Sequence, residues 1–543
     1  LRRTIGSLQA SYDLLVVGGG IYGAWVAYDA ALRGLSVLII EASDWGSGTS
    51  SASSKLIHGG LRYLEYGRLG LVHTALVERS RLLRLGPHRI HPLRFLVPIW
   101  RDSRMRPWQL SAGLLLYDLL SGVRGPDRHR RLGLGGIRQA CPFLEGAALQ
   151  NGFTYLDAGE DDARYCLEVL SGAVAAGACA LNHCRMLRLL DGTGTSAEIR
   201  DEASGRTSTV QARVTVLATG PWTQELSHAA RLPVQVRLNK GVHLVMPPLP
   251  GPNPAALLLT AQSDQRVFFL IPWYGATLLG TTDSDWQGDP REVRVENADV
   301  EYLLREVSRR CPGLGWRRAD IRGAFAGLRT LQREAGRSAT AATREWTLSE
   351  PRPGLLVPIG GKLTSARSDA GLIVDRACQL LSQKVPCATR EQPLPWAVLE
   401  HAPWLAQTVA RGMALGLDRE LSETLANRHG RWTPRLHQLI QDDPRLGERI
   451  HPQVPMALAE TLHAVQAEMA CDLTDVLRRR VPALILARLS LAQLRRVADV
   501  VAQDLGWDHE RALREAEAIW ATQQDLAARL GLGPVPEAGE KER

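Results

Sequence analysis

The sequence predicts an α/β fold: a discontinuous Rossmann-like domain, an inserted antiparallel-sheet domain and a C-terminal all-helical cap. Three observations carry this expectation. Residues 12–41 alternate strand, glycine turn, helix and strand. The stretch 234–282 holds short apolar runs punctuated by Pro and Gly. Almost everything from 398 to 530 has helical period and composition. At 543 residues the chain exceeds what one hydrophobic core usually serves, so two or three domains are expected.

The first unit is the most specific. A buried-strand run from Tyr12 to Val17 ends on Gly18-Gly19-Gly20. A helical pattern follows, and a second strand, Leu35 to Ile40, closes on Glu41. Gly18 permits the tight turn, Gly20 lets backbone approach a pyrophosphate, and Gly23 lets the helix pack closely on the sheet. Amides and dipole at the helix start would hold phosphates. Glu41, 21 residues after Gly20, can accept hydrogen bonds from ribose hydroxyls. A carboxylate there repels a 2′-phosphate, so FAD or NAD fits and NADP does not.

The later elements follow in order. Residues 71–86 read as a helix stopped by Gly86-Pro87, and 87–149 as a loop-rich basic segment. Asp161-Asp162 opens another helix with acids in its first turn. Strands are expected around 180–200 and 206–212, with a turn at 191–194, and Val214 to Gly220 reads as a buried strand closing on glycine. The sheet domain spans 231–350, and 355–383 reads as strand, glycine turn and helix. The Rossmann-like domain thus falls in three pieces, 12–86, 150–230 and 351–392, followed by the cap at 393–530. The extreme C-terminus from Gly533 is expected to be disordered.

Bulk properties narrow the function. A net charge of +8 and a pI near 9.2 permit anionic substrates or membrane surfaces. No nucleic-acid-binding motif is present, so no nucleic acid is expected. The eight cysteines lack metal-type spacing, Cys179 and Cys184 around His183 read as packed thiols, and no metal is expected. Scattered thiols suggest a reducing, cytoplasmic compartment. No apolar run reaches the roughly 20 residues of a spanning helix, and the first ten residues lack a signal-peptide core. The mixture of Trp and Arg in Arg94–Arg101 and Met105–Trp108 suits a membrane interface or a buried loop with snorkelling arginines.

The block from Thr49 to Tyr63 is too polar and glycine-rich for a core, and long for a bland loop. Thr49, Ser50 and Ser54 offer hydroxyls for phosphate, Lys55 a cation, and Gly59-Gly60 lets backbone lie against a flat ring. This block, the glycine fingerprint, Ala-Thr-Gly-Pro-Trp at 218–222 and Gly-Gly-Lys-Leu-Thr at 360–364 together resemble the FAD-dependent glycerol-3-phosphate dehydrogenases, flavoproteins of the D-amino-acid oxidase-like superfamily. Ile-Pro-Trp at 271–273, Gly-Thr-Thr-Asp at 280–283 and Gly-Leu-Arg at 327–329 continue the order of motifs. The resemblance covers about residues 12–520. It implies FAD as cofactor, sn-glycerol 3-phosphate as substrate, and electrons leaving to a quinone, with peripheral attachment to the inner face of the cytoplasmic membrane. A homo-oligomer is compatible with it.

Within that resemblance His58 is the expected base, because imidazole titrates near working pH. His243 is the runner-up. Arg62, Tyr63, Arg329 and Arg344 are expected on the substrate phosphate, since guanidinium groups donate paired hydrogen bonds. Gly361, Lys362, Leu363 and Thr364 are expected at the flavin pyrimidine edge, where helix-start amides stabilise charge on reduction. Gly220 marks a second cofactor contact. Thr330 stands where the family usually has proline, and Tyr22 replaces a smaller residue of the glycine turn; its side chain is expected to point away from the phosphates. Alternatives are an oxygen-using glycerol-3-phosphate oxidase, an amine or amino-acid oxidase of the same fold, and a flavin-binding sensor module.

Overall fold

The computed structural model describes residues 8–122, 127–144, 148–190, 195–251, 255–332 and 346–535, and of residues 62, 65 and 66 the backbone only. The expected turn at 191–194, Arg344 and nearly all of the C-terminal tail lie outside these residues.

The strand Ser11–Val17, apolar from Leu14 onward, forms the middle of a parallel sheet. Leu14 lies opposite Val214 on one side and Val37 on the other. Strand Val37–Ile40 in turn pairs with Cys179–Leu181, and Thr207–Leu217 with Leu355–Ile359, all parallel. An antiparallel strand, Thr347–Arg352, closes one edge. Helix Ile21–Leu32 is buried on nearly every side. It packs between Asp162–Ala175 and Ala366–Leu380, which explains why its apolar residues run around the whole helix rather than along one stripe. Asp161 caps Asp162–Ala175 by accepting the Arg164 amide.

The second sheet is mainly antiparallel and contains ten strands among the described residues. Its centre runs through Val236–Met246, Ala276–Gly280, Val267–Trp273 and Ala256–Thr260, as the short runs at 234–282 suggested. Gly323–Gln332 pairs along most of Val236–Met246, placing Arg329 opposite Asn239.

The basic segment 87–149 departs from expectation. It is not loop-rich: His91–Trp100 is a ten-residue strand of this second sheet, and Pro107–Ser121 is a helix. Proline is rare within an inner strand because it cannot donate to the ladder, and this strand carries two, at 92 and 98. The strand is flanked on both sides only at Phe95 and Leu96, which lie opposite Ala256 and Leu257, so neither proline has to donate on that side. Leu149–Gly159, assigned in sequence to the Rossmann-like piece, is its antiparallel partner.

The C-terminal part is helical, from His401–Ala414 to His509–Leu530, apart from a small hairpin of Arg449–His451 with Val454–Ala457. All eight cysteines are free thiols, six of them buried. Among the described residues no helix is long and apolar enough to cross a membrane.

Candidate active site

A cleft of about 780 Å³ runs from the first glycine turn to the second sheet. Ser11–Val17 ends at Gly18, whose φ of 110° only glycine adopts without strain. Gly23 does not line the cleft. A Cβ there would lie 1.9 Å from the Gly18 carbonyl oxygen, so its role is the close approach of helix and turn. The amide of Ile21 donates to Ser50 Oγ at 2.9 Å. That leaves the Ser50 hydroxyl proton for an anion at the same helix start.

Glu41 is already employed by the protein itself. Its oxygens accept the amides of Gly19 at 2.7 Å and Ser43 at 2.9 Å; burial raises its pKa above the ordinary value, and these two hydrogen bonds oppose the rise. A carboxylate has about four acceptor positions, so capacity for ribose hydroxyls remains. Cys184, Arg185 and Met186 form the neighbouring wall of the cleft. Nothing local in the sequence marked them. They arrive there because Cys184 donates its amide to the Glu41 carbonyl.

The polar block divides. Thr49 lines the cleft but spends its hydroxyl proton on the Leu328 carbonyl at 2.6 Å, tying the block to the strand that carries Arg329. Ser54 lies 3.0 Å from His243 Nε2. Lys55 turns away: it is fully buried, paired with Asp162, bonded to the Ser51 carbonyl at 3.1 Å, and 5.1 Å from the Trp273 ring. It is therefore a structural cation outside the cleft lining rather than a cofactor contact. The exposed-looking serine context concealed this, since Asp162 is over a hundred residues away.

His58 lines the cleft and is half-buried. Thr364 holds its backbone from both sides, accepting the His58 amide at 3.1 Å and donating to its carbonyl at 3.3 Å. Two expected sites 306 residues apart are thus one unit. Gly361, Lys362 and Leu363 line the same wall, and the Lys362 ammonium sits 3.8 Å over the Tyr63 ring. Gly220, at φ 48°, lines the cleft beside Trp222. The side chain of Arg62 and all of Arg344 lie outside the described residues.

Arg329 lines the cleft and is anchored by two side chains. Its guanidinium donates to Asn239 Oδ1 at 2.7 Å and to Thr281 Oγ1 at 2.8 Å. Gly241 makes the room: a Cβ there would lie 2.5 Å from Arg329 Nη2. Asn239 was not foreseen. Thr281 falls in the quoted Gly-Thr-Thr-Asp motif, whose purpose here is to aim Arg329. Next to it, His243 stacks on Phe325 with ring centres 5.0 Å apart. Burial first, then the nearby charges of Arg329 and Lys55, lower its pKa to about 3, so it is neutral.

These donors suit an elongated dinucleotide with a flat ring. Helix-start amides and Ser50 could hold a pyrophosphate, Glu41 a ribose, and the walls at Gly60 and Gly360–Gly361 a planar system; Gly59, expected against the ring, faces Leu76 and Tyr117 instead. A cleft of this size also lies within the usual range for cofactor sites, roughly 300–1,000 Å³.

Comparison with known proteins agrees with this arrangement. A family described as FAD dependent oxidoreductase matches residues 13–361, and the C-terminal domain of alpha-glycerophosphate oxidase matches residues 387–512. A glycerol-3-phosphate dehydrogenase of Synechocystis sp. is 36% identical over 530 residues, covering 94% of this chain and 96% of that protein. One of Mycobacterium leprae is 36% identical over 549 residues, covering 98% and 93%. The FAD complex of a glycerol-3-phosphate dehydrogenase from Bacillus halodurans superposes with a TM-score of 0.76 at 27% identity, covering 98% of this chain and 97% of that one. A glycine oxidase from Geobacillus kaustophilus, at 20% identity and a TM-score of 0.53 over 72% of this chain and all of its own, shares the fold alone. The chain belongs to the FAD-dependent oxidoreductase family and, within it, to the glycerol-3-phosphate dehydrogenases.

Proposed function

We propose that the protein oxidises sn-glycerol 3-phosphate to dihydroxyacetone phosphate and passes the electrons to a quinone at a membrane surface. One observation supports the reading: Arg329, Lys362, Tyr63 and two imidazoles line the same cleft as the fingerprint turn. When bound, FAD supplies the acceptor for the hydride leaving C2 of the substrate. The chain supplies the rest. Arg329, locked by Asn239 and Thr281, offers its fork to the substrate phosphate without first losing rotamer freedom. Lys362 adds a second positive charge, with Tyr63 as a neutral donor and Arg62 and Arg344 as further phosphate contacts.

His58 takes the hydroxyl proton as base, its backbone fixed by Thr364. A second reading gives that step to His243, favoured by its enforced neutrality beside Arg329. Single-turnover flavin reduction in His58→Ala and His243→Ala decides between them. The base variant slows reduction by about 10²-fold or more with substrate affinity nearly kept, and an unchanged rate removes that histidine from the role.

For the membrane we assign the helix Pro107–Ser121. Pro107 at its first position and Gly122 in the left-handed region define its ends. Leu110, Leu114 and Tyr117 face inward, whereas Trp108, Leu115 and Leu119 are 67%, 60% and 77% exposed on the opposite face. Exposed Arg101, Arg104, Arg106, Arg128, Arg130 and Arg131 flank it. An apolar stripe bordered by arginine fits an anionic lipid surface. Sedimentation with phosphatidylglycerol vesicles is expected to carry down the wild-type holoenzyme and not Leu115→Asp/Leu119→Asp. Equal binding of both contradicts the assignment.

A further inference from the structure

Position 22, inside the glycine turn, carries a tyrosine whose partner lies 347 residues further along the chain. Tyr22 is the second residue of Ile21–Leu32, yet its hydroxyl donates to Asp369 Oδ2 at 2.5 Å. Asp369 lies in the first turn of Ala366–Leu380 and also accepts the Ser365 hydroxyl at 2.7 Å. The same phenolic oxygen accepts the Lys362 amide at 3.3 Å. Gly361, at φ 101°, is moulded against it, because a Cβ there would fall 1.8 Å from that oxygen. Tyr22, Gly361 and Lys362 all line the cleft. A left-handed glycine turn has no side chain of its own to hold it in place. Here the phenol does so.

We propose that Tyr22 is a positioning residue for the redox step: held by Asp369, its hydroxyl seats the Gly361–Lys362 turn so that the turn meets the charge gathering on the reduced flavin. The proposal rests on the reading that this turn faces the pyrimidine edge of the ring. Asp369 makes the device proton-linked. Burial pushes its carboxyl up to about 6, opposed by the hydrogen bonds of Tyr22 and Ser365 and by the Lys362 cation, and reinforced by Glu78. Glu78 is itself paired with Arg367 and Arg81. The phenol stays protonated, since burial and Asp369 raise its pKa well above the ordinary value. Once Asp369 ionises, a full negative charge stands behind the turn and opposes charge on the ring. At lower pH that opposition is gone.

The test is a spectroelectrochemical titration of the FAD-loaded enzyme from pH 5 to 8. Wild type, Tyr22→Phe, Asp369→Asn and Lys362→Met are compared, with FAD content measured for each. Tyr22→Phe is expected to keep FAD while its flavin reduction constant falls roughly fivefold, the net effect of one hydrogen bond. The wild-type potential bends near pH 6, and the bend disappears in Asp369→Asn. If Lys362→Met shifts the potential and Tyr22→Phe does not, the turn faces the ring but Tyr22 does not set it, and the proposal fails. If neither shifts it, the reading of the turn fails as well. Should Tyr22→Phe release FAD, the Asp369→Asn curve decides alone: a bend that persists there overturns the proposal.

Discussion

At the residue scale, the cleft works because a few side chains are held before any substrate arrives. Arg329 illustrates the cost of losing one. Arg329→Ala keeps the glycine turn and hence FAD, but leaves Asn239 and Thr281 without their donor. We expect kcat/KM for glycerol 3-phosphate to fall on the order of 10²-fold or more, with the bound-flavin spectrum retained. Wild-type kinetics would remove Arg329 from the site. A second residue prediction concerns Glu160, whose two carboxyl oxygens are buried without a hydrogen-bond partner among the described residues. Burial, with Asp162 next, raises its pKa well above the usual carboxylate range. The folded state therefore binds this proton more tightly than the unfolded chain. The stability so gained is complete below the unfolded pKa and is lost as pH rises through the folded one. Glu160→Gln, neutral at every pH, is expected to raise Tm at pH 8 and leave it nearly unchanged at pH 4. The reverse order in thermal melts would show that Glu160 is ionised in the fold.

At the element scale, legibility followed locality. The glycine fingerprint was readable because a positive φ at Gly18 and the contact of Gly23 with Gly18 are settled within six residues. Gly23→Ala accordingly should yield protein without FAD, read from the ratio of visible to ultraviolet absorbance. A fully yellow variant would contradict the close approach. The strand–turn–helix at 355–383 was readable for the same reason. The segment 87–149 was not. Its strand is stabilised by partners at 149–159 and 256–260, which nothing local in the segment announces. Lys55 shows the same limit within the site: its neighbours in sequence are polar, but its partners Asp162, Trp273 and Phe325 are not near it in sequence.

At the scale of the whole molecule, the C-terminal helices supply no side chain to the cleft lining, yet they are clamped to the rest by buried charge. Arg428 bridges Asp161 at 2.7 Å and Glu460 at 2.8 Å. Arg164 pairs with Glu468 at 2.6 Å, and both Arg479 and Arg480 pair with Asp44. Asp44 follows the strand Val37–Ile40 and Asp161 caps the helix Asp162–Ala175, so the helical part braces elements of the first sheet's layer. Breaking one such pair strands its partner in a dry interior. Arg428→Met is expected to cost about 3–5 kcal/mol, seen as a large fall in Tm, whereas Arg514→Met, on the surface, is expected to change little. The same carboxylates make this brace sensitive to acid. Glu460 is held down at about 2 and Glu468 well below its usual value, by their arginine and histidine partners acting against burial. Their contribution is present above the unfolded carboxylate pKa and is lost as pH falls through the folded one. None of these pairs was visible in sequence, because each joins residues that only the completed fold brings together.

The decisive experiment follows the visible spectrum of the purified, FAD-loaded protein on anaerobic addition of glycerol 3-phosphate. The oxidised flavin band is expected to bleach, and glycerol is expected to leave it in place because the cationic end of the cleft has no phosphate to grip. A flavin band unaltered by glycerol 3-phosphate would contradict the proposed oxidation.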